Sequence, residues 1–187
     1  MNLILLGAPG SGKGTQGALL STRLNIPKIA TGDLIRTAMK DGTPLGTRAK
    51  EYYDQGLLVP DEIILGLIEE VLQSPGAKRG VIMDGFPRTS GQAEAVDRLL
   101  HARGQQVDRV LLVDVPEEEL VRRMRRRAAL EGRSDDTIDA FRRRLGVYRE
   151  QTAPLVAYYR ERDLVSVVPG IGTVEDIAER VKLAVGR

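Results

Sequence analysis

The chain has no cysteine and no tryptophan, a single histidine, and only 4% aromatic residues among its 187. Without thiols there is no disulfide framework, thiol nucleophile, thiolate zinc site or iron–sulfur cluster. One histidine, His101, excludes His-rich metal sites and argues against a histidine-based triad. So few aromatics leave little from which to build stacking platforms for single-stranded nucleic acid. Long apolar runs are also missing. The apolar start at Asn2–Leu6 is broken by Gly7, Pro9, Gly10 and Gly12, far too short for a signal-peptide core or a membrane span. The expectation is a cytoplasmic protein with neither membrane nor nucleic acid as partner. The length suits one domain with an ample core, and no apolar surface stripe calls for a dimer, so a monomer is expected.

What the chain does have is an uneven charge. The formal net charge is +2, yet residues 122–149 hold ten arginines against Glu131, Asp135, Asp136 and Asp139. That window is +6 and the remainder −4. Part of it reads as a solvated helix face: Glu117, Glu118 and Glu119 open a helix and the arginines follow, as the helix dipole favours. Glu118–Arg122 and Glu119–Arg123 are spaced for i,i+4 pairs. Arg127, Arg133 and Arg144 differ, because they bracket a short polar break at 127–136, from which a small flap can bring them over an anion.

Short apolar runs alternate with helical patterns. Leu3–Leu6, Val81–Met83 ending on Asp84, Val110–Val113 ending on Asp114, and Leu164–Val168 read as strands covered on both faces. Ile26–Ile29 is either a further short strand or a loop. Helices are expected at 13–24, 61–72, 92–102, 117–127, 137–159 and 174–185. Repeated strand–helix units imply an α/β fold with a parallel sheet. Residues 31–60, read as two short helices split at Asp41-Gly42-Thr43-Pro44, and residues 127–136 look like insertions at one edge of that sheet.

The strongest motif is Gly7-Ala8-Pro9-Gly10-Ser11-Gly12-Lys13-Gly14-Thr15, between a strand and a helix. Its glycines let backbone N–H groups converge on an anion, the helix adds its positive end, and Lys13 adds a point charge for outer phosphates. Gly14 stands where Ser or Thr is usual. Asp84 ends a strand, where α/β sheets place ligands. It either holds Mg²⁺ through water or caps the turn before Gly85. Arg88, in Gly85-Phe86-Pro87-Arg88, lies beside the same crevice with a fork suited to phosphate. Thr31-Gly32-Asp33 with Arg36 reads in isolation as a helix cap and a surface arginine.

Taken together, these pieces resemble the adenylate kinase family in its short-lid form. The matching segments are Gly7–Gln16, Thr31–Arg36, Gly56–Asp61, Asp84–Arg88 with Gln92, and Gly132–Asp136 with Arg144. Even Gly14 matches this family's version of the loop. The resemblance implies a P-loop three-layer sandwich, with core 1–29, 60–126 and 137–187, a monophosphate-binding flap at 30–59 and a short lid at 127–136. It implies ATP on Gly10, Ser11, Gly12, Lys13, Gly14 and Thr15, with Arg127 on the phosphates, Arg123 against the adenine and Gly172 near the base. AMP contacts fall on Thr31, Arg36, Leu57, Leu58, Val59, Gly85, Phe86, Pro87, Arg88 and Gln92, with Arg133 and Arg144 on phosphate. Lys13, Arg88, Arg127, Arg133 and Arg144 would surround the phosphoryl group in a direct, Mg²⁺-dependent transfer from ATP to AMP giving two ADP. The lid is short and Cys-free, so no zinc is expected. Gln92 resembles the adenine-selective pattern; the alternatives are a UMP/CMP kinase of the same fold or a nucleotide-dependent nucleic-acid-binding protein.

Overall fold

The computed structural model of the chain describes residues 1–55, 59–131 and 138–186, leaving aside the side chains of 127–131, 138 and 140. Five strands are described: Leu3–Leu6 (β1), Lys28–Ala30 (β2), Ile82–Asp84 (β3), Arg109–Asp114 (β4) and Val165–Pro169 (β5). All pair in parallel, in the order β2-β3-β1-β4-β5. The α/β architecture expected from the sequence is therefore present. The segment left open at 26–29 resolves as a strand displaced to Lys28–Ala30, adding an edge outside β3.

β1 is apolar throughout because both its faces are covered. Its alternate residues turn to opposite sides. Ile4 and Leu6 join Met83, Ile63, Leu67, Leu100 and Tyr159 in one core. Leu3 and Leu5 join Ile82, Leu111, Val168, Leu20, Ile177 and Val181 in the other. The first layer is built by Asp61–Gln73 (α4), Ser90–His101 (α5) and Pro154–Arg160 (α8); the second by Lys13–Leu24 (α1) and Val174–Val185 (α9). Two further helices, Thr31–Lys40 (α2) and Pro44–Tyr53 (α3), follow β2, while Glu117–Glu131 (α6) and Ile138–Val147 (α7) follow β4.

Two expectations need correction. Residues 31–60 leave the sheet at the β2 edge, whereas α6 and α7 follow β4 on the other side of β1. The strands from which the two additions depart thus lie on opposite sides of β1, and residues 132–137 of the second fall outside the described residues. The single helix expected over 137–159 is interrupted by a π-helical turn at Tyr148–Thr152, where the Ala153 N–H donates to the Tyr148 carbonyl at 2.8 Å. Pro154 then begins a new helix, since it has no N–H to continue the old one. In the other direction α6 outruns its expected end, reaching Glu131 through Ala128, Ala129 and Leu130, all good helix formers.

Candidate active site

The loop after β1 turns sharply. Gly7 has φ 152°, and a Cβ there would stand 2.7 Å from Ser11 Oγ and 2.8 Å from the Val113 carbonyl, so only glycine fits. Gly12, in the left-handed region, opens α1 with no side-chain cap and no acid in the first turn. The helix N–H groups are thus turned to an incoming anion with no side chain of the protein capping them.

Two cavities meet at this loop. One, about 400 Å³, lies between Gly10 and Lys13 on one wall, Gly85, Pro87 and Arg88 on a second, and Arg143, Arg144 and Tyr148 on a third. The other, about 340 Å³, is bordered by Gly12, Gly14, Thr15, Asp84 and Arg123. Gly10 and Lys13 line both.

Arg123 is fixed by three partners. Its Nε donates to Glu119 at 2.7 Å, one terminal nitrogen to the Ser11 carbonyl at 3.1 Å, and the other to the Gly170 carbonyl at 2.6 Å. One guanidinium thereby joins α6, the phosphate loop and the turn after β5. The hydrogen bond from Arg123 holds the Glu119 carboxyl below its ordinary value. Arg122 pairs with Glu119 as well, where the i,i+4 spacing pointed to Glu118.

Asp84 sits at the end of β3 with its Oδ2 beside Gly14, 3.4 Å from where a Cβ would stand. Lys28 on the neighbouring strand pairs with it at 3.6 Å and reaches the Gly14 carbonyl at 3.4 Å. Both side chains are largely buried, at 21% and 12% exposed. This lysine carries no motif signal; only the pairing of β2 with β3 brings it there.

The other wall is built at Gly85. Thr31 Oγ1 and an Arg88 terminal nitrogen each lie 3.5 Å from the Cβ position of that glycine, so the two converge on one spot. Arg88 Nε donates to the Gly85 carbonyl at 2.7 Å, and the Arg88 N–H donates to Gln92 Oε1 at 2.7 Å. Gln92 Nε2 in turn donates to Asp61 at 2.7 Å. Thr31 is not the cap of α2, which is Ala30 without a side-chain bond. Arg36 stays on the α2–α3 side, bound to Asp33, and Tyr53 with Asp33 pushes its guanidinium above the ordinary value.

Of the residues singled out in the sequence, the structure therefore gathers Gly10, Lys13, Gly85, Pro87, Arg88 and Arg144 around one cavity, and Gly12, Gly14, Thr15, Asp84 and Arg123 around the other. Ser11 is buried beneath the loop, and Phe86 is buried in the core. Gly172 lies beside Asp176 and Arg180 in the turn that Arg123 reaches through Gly170. Val59, just before α4, packs partly buried against the core, and Arg36 lies outside both cavities. Leu57, Leu58 and Arg133 fall outside the described residues, as does the Arg127 side chain. Tyr148, whose hydroxyl is pushed up by burial and then by Asp114, had no sequence signal, because the 137–159 stretch reads as unbroken helix. Arg143 was hidden among the arginines of that helix.

A parallel sheet whose central strand feeds a glycine loop, a lysine and an uncapped helix, with arginines opposite, defines a P-loop phosphotransferase. A family model described as adenylate kinase matches residues 5–164. The chain is 53% identical to an adenylate kinase of Thermus thermophilus, over 98% of this chain and 96% of that one. It is 46% identical to one of Xylella fastidiosa over the full length of both. With that of Thermobifida fusca it shares 45%, over 98% and 97%. The chain belongs to the adenylate kinase family.

Proposed function

We propose that the two cavities hold the two substrates of a nucleoside monophosphate kinase, Mg²⁺-ATP and AMP, and that the terminal phosphoryl group passes between them beside Lys13. The observation that carries this reading is that Lys13 lines both cavities. ATP lies along Gly10–Thr15 with its base toward Arg123 and Gly172. AMP lies along Thr31, Gly85–Arg88 and Gln92. The bond from the ATP γ-phosphorus to its bridging oxygen breaks as an AMP phosphate oxygen bonds to the same phosphorus, and two ADP result. The AMP phosphate is already an anion, so no side chain need remove a proton. The protein's work is alignment, charge neutralisation and exclusion of water.

Lys13, Arg88 and Arg144 face the transferring group, with Arg127 and Arg133 completing the set from the 127–136 segment. We read 30–59 as a flap that folds over AMP and 127–136 as a lid that folds over ATP. Asp84 fits a magnesium ion held through water: it is a hard oxygen donor bordering the loop cavity, and no group of three His, Cys, Asp or Glu side chains among the described residues forms a cage. Bound there, the ion would neutralise charge on the ATP phosphates. Lys28 keeps the Asp84 carboxylate turned toward the loop. Among the described residues no helix is long and apolar enough to cross a membrane; we read the protein as a cytoplasmic monomer.

The pyrimidine and nucleic-acid alternatives are not favoured, since each relative compared carries the name adenylate kinase. Coupled assays of ADP formation with AMP, UMP, CMP and GMP should show turnover dominated by AMP; a pyrimidine preference would overturn the assignment. Lys13→Met and Arg88→Met should each lower turnover about a hundredfold or more with the circular dichroism spectrum preserved. Near-normal turnover in either would remove that residue from the mechanism.

A further inference from the structure

We infer that Asp61 is a positioning residue for base selection: together with the Arg88 backbone N–H it fixes the polarity of the Gln92 side-chain amide, so that the site takes a 6-aminopurine monophosphate and rejects a 6-oxopurine one. This rests on the reading that Gln92 meets the base of the monophosphate.

Gln92 is the third residue of α5 and Asp61 the first of α4, 31 positions apart. The Gln92 amide is held at both ends, its Nε2 donating to Asp61 Oδ1 at 2.7 Å and its Oε1 accepting from the Arg88 N–H at 2.7 Å. Each partner has only one polarity. An ionised carboxylate accepts and cannot donate; a backbone N–H donates and cannot accept. Turning the amide over would set its oxygen against the carboxylate and its NH₂ against the N–H, so a single orientation survives. One amide hydrogen and one oxygen lone pair are left for a ligand.

Those two remaining valences carry direction. The adenine edge offers a donor at its 6-amino group and an acceptor at N1. Hypoxanthine, with the same ring shape, offers an acceptor at O6 and a donor at N1. A fixed amide matches both atoms of the first and neither of the second, and an unmatched pair in a closed site is the kind of mismatch that discriminates strongly. A freely turning amide would serve either base.

Asp61 also has a plain structural use, because an acid in the first helical turn favours the helix dipole. Glu62, its neighbour in the same turn, shares that use and pairs with Arg48 at 2.6 Å, while among the described residues the Gln92 amide bonds to Asp61 and the Arg88 N–H. It is therefore the control. The measurement is kcat/KM for AMP and for inosine monophosphate, with Mg²⁺-ATP as donor, in the full chain and in Asp61→Asn, Asp61→Ser, Glu62→Gln and Gln92→Leu. Both Asp61 variants should lower the AMP-over-inosine preference about tenfold or more, with KM for AMP rising and kcat for AMP nearly unchanged. Glu62→Gln should keep the preference even where its melting temperature falls as far as that of Asp61→Asn. Gln92→Leu should collapse it. If Gln92→Leu collapses the preference while both Asp61 variants retain it, the positioning role is wrong and the base-reading role of Gln92 stands. If Gln92→Leu itself retains it, Gln92 does not read the base and both fall.

Discussion

At the scale of single residues, the guanidinium of Arg123 ties together three separate segments of the chain. Its bonds to Ser11, Gly170 and Glu119 place the phosphate loop and the turn near Gly172 in fixed register before any nucleotide arrives. Glu119 is the titratable member. Its carboxyl is held below the ordinary 4.5 chiefly by the Arg123 hydrogen bond. A depressed folded-state value means that the contribution to stability is complete above 4.5 and is lost as pH falls below it toward the folded value. Urea midpoints measured across that range should show Glu119→Gln less stable than the parent at neutral pH, the gap closing on the acid side. A gap independent of pH would mean that the charge of Glu119 is not what stabilises. The spacing of Glu119 and Arg123 was plain in the sequence; the carbonyls of Ser11 and Gly170, 112 and 47 positions away, were not.

At the scale of elements, α2 and α3 pack so closely that Gly46 has no room for a side chain. A Cβ there would stand 2.0 Å from the Ala38 carbonyl oxygen, and one on Gly66 would meet Leu45 at 2.8 Å. The two helices are therefore packed as one unit, which is what the proposed flap reading of 30–59 needs. Gly46→Ala should destabilise the protein by about 2 kcal/mol, the usual size of an overpacking penalty, read as a lower melting temperature. An unshifted melt would show that α2 and α3 can part cheaply. β1 and β3 were legible because runs buried on both faces carry no polar interruption, whereas β5, expected to be covered on both faces, is an edge strand with Ser166 inside it and Val167 51% exposed. Helix ends were less so: the 3.6-residue apolar period continues from Phe141 and Leu145 to Leu155 and Tyr159, and periodicity alone does not register the π turn that Pro154 ends. The cavity wall built by Arg143, Arg144 and Tyr148 depends on where that turn falls, which is why only Arg144 is legible in the sequence. Gln92 was legible as a residue type, but not its partner on another helix.

At the scale of the whole molecule, the +6 window separates into parts with different fates. Arg123 is neutralised by Glu119 and Arg149 by Glu117, so neither contributes much to repulsion. Under the proposed lid reading, we expect like charge on Arg127 and Arg133 to oppose closure until phosphates enter. Raising salt in the ligand-free protein should then shift the open–closed balance toward closed, because screening shortens to about 8 Å near physiological ionic strength. Energy transfer between labels on α3 and on the 127–136 segment would report it, and an unchanged signal would remove repulsion from the account. The strand order has a consequence of another kind. β3 lies between β1 and β2, and among the described strands β1 pairs with β3 and β4, so β1 and β2, the earlier two of these strands to be synthesised, have no hydrogen-bonded neighbour in each other. A nascent chain must carry both, unpaired, until residues 82–84 emerge to join them. The strand that leads into the phosphate loop therefore waits for residues 82–84 before it has its first hydrogen-bonded strand neighbour.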